Sequence, residues 1–362
     1  MYVIDVEIYV NYFLLAAKNI TTGKTLYFEQ SEYHDLDIRS LRALMRHEKT
    51  ISFNGNNFDL PIIACAIKGW STAKLKALCD KIIKSNAPAW QVIKSAKIKI
   101  PTAWDHVDII DVAPGRVSLK IYGGRLHMPR LQDLPIEPSA TLTREEMEGV
   151  KAYCVNDLDT TIALYKQVEK AIDLRVEMSA QYNVDLRSKS DAQVAEEVIR
   201  TELERLTGVR YYAPKNPPES FRYHDPGVVA FRSSALKAQF ERILKTPFET
   251  QGSGSVKAPA FLKEPVVVGG RPYQMGIGGL HSQESAQMVE ACDHFDLLEL
   301  DVTSYYPSII LQQNLAPGSI GKPFLDVYRT MFVNRVEGKK RLKNVDAEIL
   351  ELERELEKLN GE

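Results

Sequence analysis

An α/β fold is predicted by three features of the sequence. Short β-rich segments alternate with helical ones as far as about residue 175. The chain opens on a strand–turn–strand pattern. A strong helix-start signal, Thr143-Arg144-Glu145-Glu146, then introduces a long helical stretch.

Taken in order, residues 2–10 and 12–20 are β-rich, and a Thr21–Lys24 turn leads into a further run, Thr25–Phe28. Residues 40–47 have helical spacing. Thr50–Phe53 is a short predicted strand, followed by the loop Asn54-Gly55-Asn56-Asn57. A helix over Phe58–Lys68 carries Pro61 in its first turn, where a missing N–H costs nothing. The Thr143 helix takes in Met147 and Val150 and continues in helical rhythm over 151–178. Lys189–Leu206 is a further predicted helix. Pro214, Pro217, Pro218 and Pro226, then the Gly/Ser stretch Gln251–Ser255, signal loops or a boundary. Residues 295–302, Phe-Asp-Leu-Leu-Glu-Leu-Asp-Val, have the apolar content of a buried strand. The last forty residues are helix formers.

Composition narrows the class. With 44% hydrophobic and 26% charged residues, the chain has material for a sizeable core. At ~150 residues per domain, its length predicts two to three domains. Four scattered cysteines form no CxxC pair, which argues against a zinc knuckle or disulfide framework and for a reducing, cytoplasmic compartment. No apolar run approaches the ~18 residues of a membrane span, so no membrane partner is expected. The net charge of −2 is unlike that of many nucleic-acid binders. Charge distribution outweighs the total, because acidic metal ligands and an acidic terminal helix offset basic residues elsewhere.

Three segments carry candidate chemistry. Asp5 and Glu7 stand at i and i+2 of a predicted strand and share a face. Two adjacent carboxylates repel unless a cation lies between them, and an all-oxygen site suits Mg²⁺ or Mn²⁺. A solvent-facing strand edge is the plain alternative. Asp59 follows the second short strand, either as a helix N-cap or as a metal ligand at a strand's C-terminal end. Tyr153 and Asp157 stand at i and i+4, one helical turn apart on one face.

Together these segments resemble the exonuclease motifs of family B DNA polymerases, of the DEDDy class. Asp and Glu form the first motif, Asn54-x-x-x-Phe58-Asp59 the second and Tyr153-x-x-x-Asp157 the third. The resemblance implies a ribonuclease H-like fold and a 3′→5′ proofreading exonuclease holding two Mg²⁺ or Mn²⁺ ions. It implies that Asp5 bridges the ions, that Glu7 and Asp157 bind the water-side ion, and that Asp59 holds the other through water. Tyr153 would position the nucleophile. Asn54 and Phe58 would hold the terminal nucleotides of a single-stranded 3′ end, and core packing is an equal reading of Phe58.

Residues 299–310, Glu-Leu-Asp-Val-Thr-Ser-Tyr-Tyr-Pro-Ser-Ile-Ile, resemble polymerase motif A of the same family, with Tyr305 where leucine is usual. This implies that Asp301 binds the polymerase cations and that Tyr306 stacks under the nucleotide sugar. Arg335-Val-Glu-Gly-Lys339 resembles the first fingers helix, implying triphosphate contacts from Arg335 and Lys339. Asp5–Asn19, Ser118–His127 and Ser188–Gln193 resemble phage members rather than cellular ones, and Gly278–Ser282 belongs to the same pattern.

The implied organisation is an exonuclease domain over 1–185, a partial palm over 186–322 and a fingers helix over 323–362. The family's later Lys-x-x-x-Asn-Ser-x-Tyr-Gly and Asp-Thr-Asp motifs do not occur in the sequence. Polymerisation on primer-template DNA with deoxynucleotides is therefore expected only with a C-terminal polymerase fragment. Val345, Ile349, Leu352, Leu356 and Leu359 form an apolar stripe, and residues 340–360 are the expected contact. A non-catalytic scaffold subunit and a free-standing exonuclease are the rival expectations.

Overall fold

A computed structural model describes residues 1–212, 218–251, 255–302 and 304–360, with side chains through 356. The predicted loop positions Pro214, Pro217 and 252–254, and the Leu359 side chain, lie outside the described residues. The chain divides into two compact units, Met1–Val198 and Ile199–Glu362.

The first unit is mixed α/β. Its strands are β1 (Tyr2–Ile8), β2 (Phe13–Asn19), β3 (Thr25–Gln30), β4 (Thr50–Ser52) and β5 (His106–Asp108). They form one sheet in the order β3-β2-β1-β4-β5. The first three are an antiparallel meander, and β4 and β5 run parallel to β1. The tight turn before β3 forms as the sequence predicts: Asn19 Oδ1 accepts the N–H groups of Thr21 and Thr22, and Gly23 takes φ +71°.

Strand alternation divides the core between two sheet faces. Ile4, Val6 and Ile8 pack with Phe13 and Leu15 against helices α1 (Ile38–His47), α2 (Asp59–Ile67) and α3 (Thr72–Lys84). After them come the short helices α4 (Ala89–Ser95) and α5 (Leu119–Arg125). Val3, Leu14, Ala16, Ile51 and Val107 face the opposite way, toward Val150, Cys154 and Leu158 of α6 (Arg144–Tyr182). Asp5 and Glu7 share the Val3 parity, so the strand directs both carboxylates to the α6 side.

Helix α6 begins where its capping box predicts. Thr143 N–H donates to Glu146 Oε2 at 2.7 Å, and Glu146 N–H donates to Thr143 Oγ1 at 3.3 Å. Reciprocal satisfaction of two orphan donors fixes this end. Asn183, at φ +53°, closes the other end in the left-handed conformation. The helix runs unbroken for 39 residues. Helix α7 (Asp191–Thr207) follows.

The second unit holds two three-stranded sheets. One comprises β6 (Ser220–Arg222), β7 (Pro247–Thr250) and β8 (Val256–Lys257); the other comprises β9 (Val266–Val268), β10 (Arg271–Met275) and β11 (Leu280–Ser282). Helix α8 (Ser234–Lys245) supplies Leu236 and Ile243 to a small core with Phe248, Leu262 and Met275. Helices α9 (Tyr305–Gln312) and α10 (Lys322–Asn360) complete it.

Residues 295–302 correct a sequence expectation. They form no strand, and their apolar side chains are exposed, Leu298 at 83% and Leu300 at 91%. The segment's only pairing among the described residues is a single bridge, Cys292 to Phe295. An apolar run becomes a strand only when a neighbouring edge pairs its N–H and C=O groups, and the run has no such neighbour in the described unit.

Candidate metal centre

The first unit gathers three of the predicted carboxylates. Asp5 and Glu7 come from β1 and Asp157 from α6, and one carboxylate oxygen from each lies within 4.8 Å of the others. The i, i+2 and i, i+4 spacings thus converge on one side of the sheet. All three are half-buried.

Their electrostatics are those of crowded, partly buried carboxylates. Burial, then the Asp157 charge, pushes the Asp5 carboxyl up to about 7. Glu7 is pushed well above the usual carboxylate range by burial, then by Asp5, Asp157 and Asp59. Burial also raises Asp157, against the hydrogen bonds of Tyr153 and Asn156. Burial and the Asp157 charge hold the Tyr153 phenol protonated. Carboxylates this close repel when ionised, and a divalent cation reverses the sign of the interaction.

Asp59 lies beside this cluster rather than within it. The N-cap reading is corrected: Phe58 is the N-cap of α2, and Asp59 is its first residue. Its carboxyl is 2% exposed, and Oδ1 has no hydrogen-bond partner. Burial, then the Asp5 and Asp108 charges, raises it well above the ordinary value. A buried carboxyl oxygen without a donor costs about 1–3 kcal/mol or more, a cost that a cation ligand or its bound water removes. The donor set is all oxygen, hard and anionic, and could hold a metal ion.

The loop that aims Asp59 depends on a residue sequence reasoning missed. Asp108 ends β5 and is 2% exposed. Its Oδ1 accepts the N–H groups of Asn54 (2.8 Å) and Ile110 (3.1 Å), and its Oδ2 that of Asn56 (3.0 Å). Asn54 takes φ +69°, and its Oδ1 accepts from Asn57 Nδ2 at 3.0 Å. Gly55 is required by space: a Cβ there would lie 1.8 Å from Ser52 Oγ. Beneath it, His106 bonds Thr50 Oγ1 (2.9 Å) and Ser52 Oγ (3.0 Å). Burial pushes this imidazole down to about 4, so it is neutral. Phe58 is half-buried against the core of α1–α3. An acid at the end of a short apolar strand was the available signal for Asp108.

Cys154 was also missed. It is fully buried, and its Sγ donates to Asp5 Oδ2 at 3.3 Å. A cavity of about 240 Å³ opens beside Tyr153 and Asp157, lined also by Ser118, Lys120, Arg130 and Asn156.

In the second unit, Asp301 is exposed, and it belongs to no group of three or more ligating side chains among the described residues. Tyr306 is exposed, and its hydroxyl donates to Gly278 O at 2.9 Å. Arg335 donates to Ser304 Oγ, linking α10 to the turn before α9. Lys339 is exposed on α10.

No known protein-family model matches the chain, and no curated protein matches it. No helix among the described residues is long and apolar enough to cross a membrane.

Proposed function

We propose that the first unit is a metal-dependent 3′→5′ DNA exonuclease with a ribonuclease H-like fold, part of a family B DNA polymerase. The observation that carries this reading is the convergence of Asp5, Glu7 and Asp157 beside Asp59, whose buried Oδ1 has no hydrogen-bond partner. The sheet order β3-β2-β1-β4-β5, with β2 antiparallel to β1, supports the fold. The acidic pair on the central strand β1 supports the site.

Asp5, Glu7 and Asp157 would hold the divalent ions, with Asp59 completing the set. Bound there, divalent ions supply an activated water and neutralise charge on the scissile phosphate and leaving oxygen. Tyr153 keeps its proton and hydrogen-bonds Asp157, where its hydroxyl would orient an attacking water. The cavity beside Asp157 accepts the 3′ end, with Lys120 and Arg130 at its wall to meet phosphate charge. Asn54 and Phe58 stand on the Asp59 loop, where they meet the terminal nucleotides.

On the same reading, Asp301, Tyr306, Arg335 and Lys339 belong to a nucleotidyl-transfer site. Further carboxylates, from a C-terminal polymerase fragment engaging residues 340–360, complete that site.

The test is trimming of 5′-labelled single-stranded DNA with Mg²⁺ or Mn²⁺. Laddered 3′ shortening is expected, abolished in Asp5→Ala/Glu7→Ala and slowed roughly 100-fold in Tyr153→Phe, which loses the orienting hydroxyl. Absence of trimming with either ion, alone and with a complementing fragment, would overturn the assignment and favour a scaffold subunit.

A further inference from the structure

We propose that Cys154 is a positioning residue for the metal centre, its thiol donating to Asp5 Oδ2 and thereby holding that carboxylate in its ligating orientation. The inference rests on the metal-centre reading and deepens it.

The geometry is specific. Cys154 stands three residues before Asp157 on α6, so both side chains face β1. The thiol is 0% exposed and lies 3.3 Å from Oδ2. It packs among the apolar side chains around Val3, Leu14, Val150 and Leu158. Asp5 is close to every member of the site: Glu7, Asp59 and Cys154 feel its charge, and it feels that of Asp157. Among the described residues, its side-chain donor is Cys154, and the Val6 backbone N–H also holds it.

A free carboxylate on a strand rotates about χ2, a broad torsion. A donor on one oxygen restricts that rotation and directs the remaining lone pairs toward Glu7 and Asp157. The donor must also sit in an apolar core and carry no positive charge, which would repel the cation. A protonated thiol meets both conditions: it packs as a small hydrophobe and donates weakly. Groups behind a metal ligand typically contribute 10–100-fold in metal affinity. The weakness of a thiol donor places Cys154 near the lower end, roughly 10-fold.

The test uses the full chain and Mn²⁺ alone, with Mn²⁺ affinity read by electron paramagnetic resonance. Cys154→Ala removes the donor, and Cys154→Ser keeps a donor of similar size. The expected result is roughly 10-fold weaker Mn²⁺ binding in C154A, with C154S within about threefold of the parent. Should C154A fold poorly, Cys154→Val supplies the donor-free comparison at better-preserved volume. Equal affinity in the parent and the donor-free variant overturns the proposal. Equal weakening in C154A and C154S also overturns it, because packing then accounts for the effect. A parent chain that binds no Mn²⁺ sinks the metal-centre reading and this inference with it. Mn²⁺ binding without DNA trimming leaves the thiol comparison intact and counts only against the exonuclease.

Discussion

Replacing Asp5 with asparagine should stabilise the metal-free protein while disabling the proposed metal centre. The Asp5 carboxyl is raised from an ordinary 3.8 to about 7, by burial first and then by Asp157. At about 1.4 kcal/mol per pH unit, keeping it ionised near pH 8 costs the fold at most about 4 kcal/mol. The sign follows from linkage. A folded-state value above the unfolded one means that the folded chain holds its proton longer. Stability is therefore fully present below about pH 4 and is lost as pH rises to about 7. Asparagine removes the charge, and its Oδ1 still accepts the Cys154 thiol. With partial relaxation, a gain of roughly 2 kcal/mol is expected near pH 8. For a unit of this size that raises the melting temperature by roughly 4–8 °C. Differential scanning calorimetry of parent and variant in EDTA, near pH 5 and near pH 8, reads the effect. The gap should be wide at the higher pH and narrow at the lower. Adding Mn²⁺ should stabilise the parent and leave D5N little changed. A D5N variant less stable than its parent near pH 8 in EDTA would refute the reasoning. So would a parent whose melting is indifferent to both pH and Mn²⁺.

Two further outcomes concern the loop that carries Asp59. Gly55→Ala puts a Cβ 1.8 Å from Ser52 Oγ and 3.1 Å from His106 Nε2, and should cost about 2–3 kcal/mol in urea unfolding. Adding Ser52→Ala should recover only part of that, because Ser52 Cβ is itself 2.9 Å away. Asp108→Ala strips the acceptor from the N–H groups of Asn54, Asn56 and Ile110. It should cost about 1–3 kcal/mol or more, and hydrogen exchange should quicken over residues 54–58 while the middle of α6 stays protected.

Much of the first unit was legible because it rests on short-range rules. The opening strands, the turn at Gly23 and the start of α6 follow from period-two alternation, turn chemistry and a capping box. The i, i+2 spacing in β1 and the i, i+4 spacing in α6 each define a face before any tertiary contact exists. Each spacing alone suited a plain surface pair equally well; Asp5, Glu7, Tyr153 and Asp157 were named as a site only through the resemblance of the three segments, in order, to one set of motifs. Residues 295–302 failed for the complementary reason. Their apolar content satisfies the composition of a strand, but a strand is a pairing, and the required neighbour is not encoded in the segment itself.

The sequence by itself determined which side chains can share a face, and so which carboxylates were available to a site. Only the tertiary structure decided which of them meet. It brought β1 and α6 together, left Asp59 Oδ1 buried without a donor, and set the Cys154 thiol behind Asp5. It also assigned Asp108 to backbone N–H groups 54 and 52 residues away. Burial and electrostatic coupling depend on distances through space, and long-range packing sets those distances. A carboxylate's neighbours therefore cannot be read from its place in the chain, although its direction from a strand or helix can.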